Sequence, residues 1–310
     1  MGHKLLLLTK VNQQYRDLIE ALELPNLVLL NDDPKHLIEA DLWLAEPKLA
    51  APLLPHAKNL KWLQSSFAGI EALMSPRGRK DYLLTNIKGI FGPLMSEYVF
   101  GYLLAHIRSH DFYRLQQRQK HWQVESPPYS SLQNMRLLLL GTGSIAQYLA
   151  KTAQHFGMHV TGINSSGNTV DSFDAIETMP TLGEALTKAD VVVNLLPSTP
   201  ATRNILNADM LATLKPDAIL FNVGRGDALD LDALNNQLIA NPNQQAILDV
   251  FTQEPLPNSH PIWERENTII TPHMSALSQP EQIVTQFSQN YHRYLAGKPL
   301  ANVIDFNKGY

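Results

Sequence analysis

Arg136-Leu137-Leu138-Leu139-Leu140-Gly141-Thr142-Gly143-Ser144-Ile145-Ala146 joins an apolar run to a glycine-spaced turn, and an amphipathic stretch follows to His155. The run of leucines suits a strand buried on both faces. Gly141 allows a tight turn, Gly143 lets a pyrophosphate approach backbone N–H groups, and Ala146 permits close packing of helix on strand. The unpaired N–H groups and dipole at the helix N-terminus then attract phosphate. The bland alternative is an ordinary strand–helix turn. The strand–turn–helix setting, with more strands downstream, favours a dinucleotide site.

Those strands are expected at His159–Ile163, Val191–Leu195, Ala218–Val223, Ala246–Val250 and Thr268–Thr271. Helices are expected between them at Leu182–Lys188, Asn207–Thr213 and Asp230–Ile239. The second strand ends at Ile163-Asn164-Ser165-Ser166-Gly167. An NAD-preferring site places an acidic residue there, about 20 residues past the glycines, on the ribose 2′-OH. Asn164 removes that carboxylate and its repulsion of a 2′-phosphate, and Ser165, Ser166 and neighbouring N–H groups are candidate donors. No Arg or Lys stands nearby in sequence. This slot favours NADP over NAD.

Upstream, residues 1–90 alternate short apolar runs with amphipathic stretches. Strands are expected at Leu5–Leu8, Leu27–Leu30, Leu42–Ala45, Leu60–Gln64 and Tyr82–Thr85, with helices or turns at Gln13–Leu22, Pro34–Glu39 and Ile70–Met74. The pattern predicts a second α/β domain with a parallel sheet and no phosphate loop. Gly92-Pro93 opens a long helical pattern that fades through Arg118–Trp122 and stops at Ser126-Pro127-Pro128. It is expected to bridge domains and to form a homodimer contact. Gln279–Leu295 is helical and is expected to return to the first domain.

With 310 residues the chain is long enough for two domains. A net charge of −4, from 25 basic and 29 acidic residues, offers no basic stripe for nucleic acid. The absence of cysteine excludes disulfides and thiolate chemistry. The apolar run in Met1–Thr9 is too short for a signal peptide and reads as a buried first strand. No membrane span is expected, and the location is expected to be cytoplasmic. His106 and His110, four apart, lack an evident third ligand, and His155 and His159 straddle Gly157, so no metal site is expected.

Three stretches end apolar runs with an ionisable residue: Asn222-Val223-Gly224-Arg225-Gly226, Asp249-Val250-Phe251-Thr252-Gln253-Glu254-Pro255 and Thr271-Pro272-His273-Met274-Ser275. Taken alone, the Arg could cap a turn, the Glu could be solvated, and the His could be structural. At three successive strand ends they make a set suited to carbonyl reduction. Arg225 offers a planar fork for a carboxylate, His273 an imidazole that can give a proton, and Glu254 a carboxylate that favours its charged form.

With Leu195-Leu196-Pro197-Ser198-Thr199-Pro200-Ala201-Thr202, these blocks resemble the D-2-hydroxyacid dehydrogenase family, most of all its glyoxylate/hydroxypyruvate reductase A branch. The resemblance implies a Rossmann NAD(P)-binding domain, residues 93–274, inserted in a flavodoxin-like substrate domain, residues 1–92 and 275–310. Both would be doubly wound parallel α/β sheets. It implies Arg225 as substrate anchor, Glu254 as partner of the imidazole and His273 as acid/base. Ser144, Ile145, Leu196, Pro197, Val223, Asp249 and Ser275 would line the cofactor, Asp249 on the nicotinamide side. A loop of the first domain would hold the substrate carboxylate, here Phe67, Ala68 and Gly69, with Phe67 where glycine is common.

The expected activity is NADPH- or NADH-dependent reduction of a small 2-oxo acid, glyoxylate or hydroxypyruvate in kind, to the D-2-hydroxy acid. The alternative is a nicotinamide-sensing, corepressor-like binding protein on the same fold.

Overall fold

The computed structural model describes residues 2–31, 33, 35–123 and 130–307. Contacts divide the chain into two units, residues 1–90 with 278–310, and residues 91–277. The sequence reading set these seams at 92/93 and 274/275.

In the first unit β1 (His3–Leu8), β2 (Leu27–Leu29), β3 (Leu42–Ala45), β4 (Trp62–Ser65) and β5 (Leu83–Thr85) form a parallel sheet. The strand order β2-β1-β3-β4-β5 is that of flavodoxin-like folds. The connections are α1 (Asn12–Glu20), α2 (His36–Glu39) and α3 (Pro47–Ala50), the last running into a 3₁₀ turn, Ala51–His56. The sequence pattern predicts no element in this last region. Pro47 and Pro52 start the two turns, where a missing N–H costs nothing.

Successive side chains of a strand face opposite ways, and both faces here are apolar. Leu6, Trp43, Leu63 and Leu84 share one core with Leu54 and Leu73. Leu5, Leu7, Leu42, Leu44 and Trp62, all buried, alternate to the other face. There the Trp62 ring stacks on Phe287 of the C-terminal helix Pro280–Leu295, at 5.2 Å between centroids and 11° between planes. Trp62 Nε1 donates to Thr85 Oγ1 (2.8 Å), which donates to Gln64 Oε1 (2.8 Å). Asn290 Nδ2 donates to that same oxygen (3.3 Å) and to Ala301 O (3.1 Å). The two ends of the chain thus share one buried polar network.

The second unit opens with α4 (Phe91–Ile107) and α5 (His110–Arg118). The sequence pattern predicts a single helix through this stretch. Ser109 stands between the two in the left-handed region, at φ +52°, and breaks the register. Met95, Val99, Leu103 and Ile107 form the buried stripe of α4. The expected stop at residues 126–128 lies outside the described residues.

Then come β6 (Arg136–Leu140), α6 (Ser144–His155), β7 (His159–Asn164), β8 (Ala175–Thr178), α7 (Leu182–Lys188), β9 (Val191–Asn194), α8 (Ala208–Ala212), β10 (Ile219–Asn222), α9 (Leu231–Ala240), β11 (Gln245–Leu248) and β12 (Thr268–Ile270). The parallel order is β12-β11-β10-β9-β6-β7-β8. This is the Rossmann order with one strand added at an edge. β8 has no counterpart in the sequence reading, because this edge strand has no buried residue and carries no apolar run.

The leucine run of β6 shows why both faces need covering. Leu138 and Leu140 join Val192, Leu220 and Leu248 against Leu186, Leu211 and Leu234 of the helices on one side. Leu137 and Leu139 join Val191, Val193 and Phe221 against Val99, Leu149 and Ala153 of α4 and α6 on the other. Among the described residues no helix is long and apolar enough to cross a membrane.

Phe287 is fully buried and Gln289 is exposed on the same helix. Phe287→Ala should lower the urea unfolding free energy by about 3–5 kcal/mol. Gln289→Ala should change it by less than about 0.5 kcal/mol. Similar midpoints for the two variants would contradict the packing described.

Candidate active site

In the second unit the strand order reverses between β6 and β9, and in such sheets ligands bind outside the carboxyl ends at the reversal. Gly141 leaves β6 at φ +104° and passes close to the carbonyl of Leu195, which leaves β9. Gly143 precedes the first turn of α6, whose N-terminus has no side-chain cap. A Cβ on Gly143 would meet no atom of the protein within 4 Å. The protein's own packing therefore does not require glycine there, whereas a phosphate approaching the amides does. Ser144 is exposed, Ile145 is half-buried, and Ala146 is buried where close helix–strand packing needs it. These features fit a dinucleotide.

Asn164 ends β7 and folds the loop after it. Its Oδ1 accepts from Ser166 N (3.1 Å), Ser166 Oγ (3.3 Å) and Gly167 N (2.6 Å), and its Nδ2 donates to Thr142 Oγ1 (3.3 Å). The sequence reading aimed Ser166 and the nearby amides at a ligand. In the structure Asn164 takes the Ser166 hydroxyl and the amides of Ser166 and Gly167, as an Asn side chain readily does for the amides that follow it, and Ser166 stays at the surface. Asn164 also ties this loop to the glycine turn, and Ser165 is exposed beside it.

Leu196 and Pro197 follow β9, and Val223 follows β10. Asn194 Nδ2 donates to Asn222 Oδ1 (2.8 Å), while Asn194 Oδ1 accepts from Leu196 N (3.1 Å). Ser198 Oγ donates to Asp227 Oδ2 (2.6 Å). In the sequence, the signal for the first pair is a polar residue closing each buried apolar run.

Arg225, Glu254 and His273 follow β10, β11 and β12, three neighbouring parallel strands. Arg225 lies between two glycines that admit close chain approaches. A Cβ on Gly224 would lie 2.9 Å from Leu196 N, and one on Gly226 would lie 2.0 Å from Phe251 C. Arg225 Nη1 donates to Gly224 O (2.7 Å). Phe251, which packs on Gly226, gives its N–H to Glu254 Oε1 (3.1 Å). The arginine turn and the glutamate loop are therefore set against each other.

His273 Nδ1 lies 3.1 and 2.9 Å from the two oxygens of Glu254. Nδ1 is thus the nitrogen engaged by the carboxylate, and Nε2 lies on the other edge of the half-exposed ring. His273 sits at φ +53°, a left-handed conformation that costs a residue with a Cβ about 1–2 kcal/mol. Asp249, fully buried, holds that conformation. Its backbone O accepts from His273 N (2.9 Å), Oδ1 from Met274 N (2.8 Å) and Thr271 Oγ1 (2.6 Å), and Oδ2 from Ser275 N (3.0 Å). The sequence reading placed Asp249 and Ser275 against the cofactor. Both are buried, and the Asp249 carboxylate serves the histidine turn.

In the first unit, Ser65 Oγ donates to Phe67 O (2.8 Å) and accepts from Phe67 N (3.0 Å), while Asn86 Nδ2 donates to Ala68 O (2.8 Å). The Phe67 amide is thus engaged within the loop itself. The Phe67 side chain is 42% exposed, so it is not a core residue.

Residues 100–275 match the model of the D-isomer specific 2-hydroxyacid dehydrogenase NAD-binding domain. A family protein from Aeromonas salmonicida has a similar solved structure, with TM-score 0.93 and 46% identity over 99% of this chain and 100% of that one. The NADPH-dependent glyoxylate/hydroxypyruvate reductase of Sinorhizobium meliloti, solved with NADP and sulfate, superposes with TM-score 0.87 and 26% identity over the full length of both. Glyoxylate/hydroxypyruvate reductase A of Photorhabdus laumondii is 31% identical over 291 residues, 90% of this chain and 89% of that protein. The chain belongs to the D-isomer specific 2-hydroxyacid dehydrogenase family and is an NAD(P)-dependent oxidoreductase.

Proposed function

We propose that the protein reduces a small 2-oxo acid of the glyoxylate or hydroxypyruvate kind to the D-2-hydroxy acid, with NADPH preferred over NADH. The observation that carries this reading is the paired contact of Glu254 with His273 Nδ1. It keeps a proton on Nδ1, so the proton that the imidazolium gives to the substrate is the one on Nε2.

A reduced nicotinamide, when bound, supplies the hydride. The Arg225 guanidinium grips the substrate carboxylate and polarises the neighbouring carbonyl through its planar donor fork. Negative charge then grows on the carbonyl oxygen, and His273 Nε2 gives its proton there, completing the hydroxyl. Glu254 stabilises the imidazolium before transfer and holds the ring's plane. The loop of Phe67, Ala68 and Gly69 is assigned to the substrate on the family resemblance. The NADPH preference rests on Asn164, which leaves no carboxylate against a 2′-phosphate, and on the exposed Ser165 hydroxyl beside it.

His273→Gln should lower kcat with glyoxylate or hydroxypyruvate by about 10²–10⁴-fold. NADPH affinity, read by fluorescence titration, should stay unchanged. A variant that turns over at the parent rate would remove His273 from the mechanism, and a parent that fails to oxidise NADPH whichever 2-oxo acid is supplied would favour the nicotinamide-sensing alternative. Asn164→Asp should lower the NADPH-to-NADH ratio of kcat/KM by about tenfold, or ~1.4 kcal/mol. An unchanged ratio would show that this loop does not choose the cofactor.

A further inference from the structure

The oxygen of Tyr98, in the second turn of α4, lies 2.6 Å from Thr271 Oγ1. Thr271 has one hydroxyl proton and donates it to Asp249 Oδ1. The proton between Tyr98 and Thr271 therefore comes from the tyrosine, and the chain runs in one direction, Tyr98 to Thr271 to Asp249. Beyond Asp249 lie the amides of His273, Met274 and Ser275. Every residue of this turn except Pro272 is thus tied to Asp249. Tyr98 is the point where the tie reaches a long helix packed against the sheet.

We propose that Tyr98 is a positioning residue for His273, its hydroxyl aiming the Thr271 proton at Asp249 so that this carboxylate stays aligned with the amides around the histidine. Two features keep the phenol in that role. Burial pushes its pKa well above the usual range, opposed by the Thr271 bond and aided by the Asp249 charge, so it remains a donor at neutral pH. The Tyr102 ring meets it edge-on at 4.9 Å and fixes its plane. A phenylalanine at 98 keeps that ring contact and loses only the hydroxyl.

The catalytic half of the test rests on the activity proposed above; the spectroscopic half does not. Tyr98→Phe should lower kcat about 3- to 10-fold, the span that one net hydrogen bond makes in a barrier. NADPH affinity and melting temperature should stay near the parent's. Thr271→Val should lose at least as much, Thr271→Ser should keep the parent rate, and the double variant Tyr98→Phe/Thr271→Val should be no worse than Thr271→Val alone. In ¹⁵N-histidine-labelled protein, the His273 ring signals, identified by their loss in His273→Gln, should move in Tyr98→Phe. Unmoved ring signals would overturn the proposal, as would an unchanged kcat in an active enzyme, additive losses, or a Thr271→Ser variant as impaired as Thr271→Val. If the parent reduces no 2-oxo acid, the proposed activity falls and the ring signals alone decide the role of Tyr98.

Discussion

A buried carboxylate must be met by donors, and in this protein the donors that meet Asp249 are the backbone amides and hydroxyl of one five-residue turn. Leaving an ionised group unpaired in the interior would destabilise the fold by several kcal/mol. The turn from Thr271 to Ser275 therefore closes on the carboxylate, and His273 takes up its left-handed conformation as part of that closure. The imidazole is then presented to Glu254 from a backbone with little freedom. The side chain expected to perform chemistry sits on a turn that a neighbouring carboxylate holds.

The same logic extends to the other strand ends. Gly224 and Gly226 have no room for a Cβ, because Leu196 on one side and Phe251 on the other pack against the backbone. Arg225 is carried between them, and Phe251 in turn gives its amide to Glu254. Parallel strands make this possible: β10, β11 and β12 all end on the same side, so three loops distant in sequence become neighbours.

Much of this was legible in the residues. The leucine run with its glycine turn, and the apolar runs at Val191–Asn194 and Leu42–Ala45, carry a signal strong enough to place strands to within a residue or two. The Arg, Glu and His stand out because each follows such a run. What escaped is set by contacts between segments far apart in sequence. Nothing around Asp249 tells that it faces the turn two dozen residues on, and nothing around Tyr98 announces Thr271. Nothing around Ser166 tells that its hydroxyl also reaches Asn164. The single helix expected after Gly92 breaks at Ser109, a residue whose left-handed conformation has no periodicity to betray it.

The first unit is assembled from the opening ninety residues and the closing stretch of the chain, while the second is continuous. During synthesis the strands around Trp62 leave the ribosome early, but Phe287 and Asn290 that complete their packing leave last. The continuous unit has all its residues available first and can fold as a unit. Until the C-terminal helix emerges, the early sheet shows an uncovered apolar face to the cell. Surface left uncovered in that interval is of the kind that aggregates.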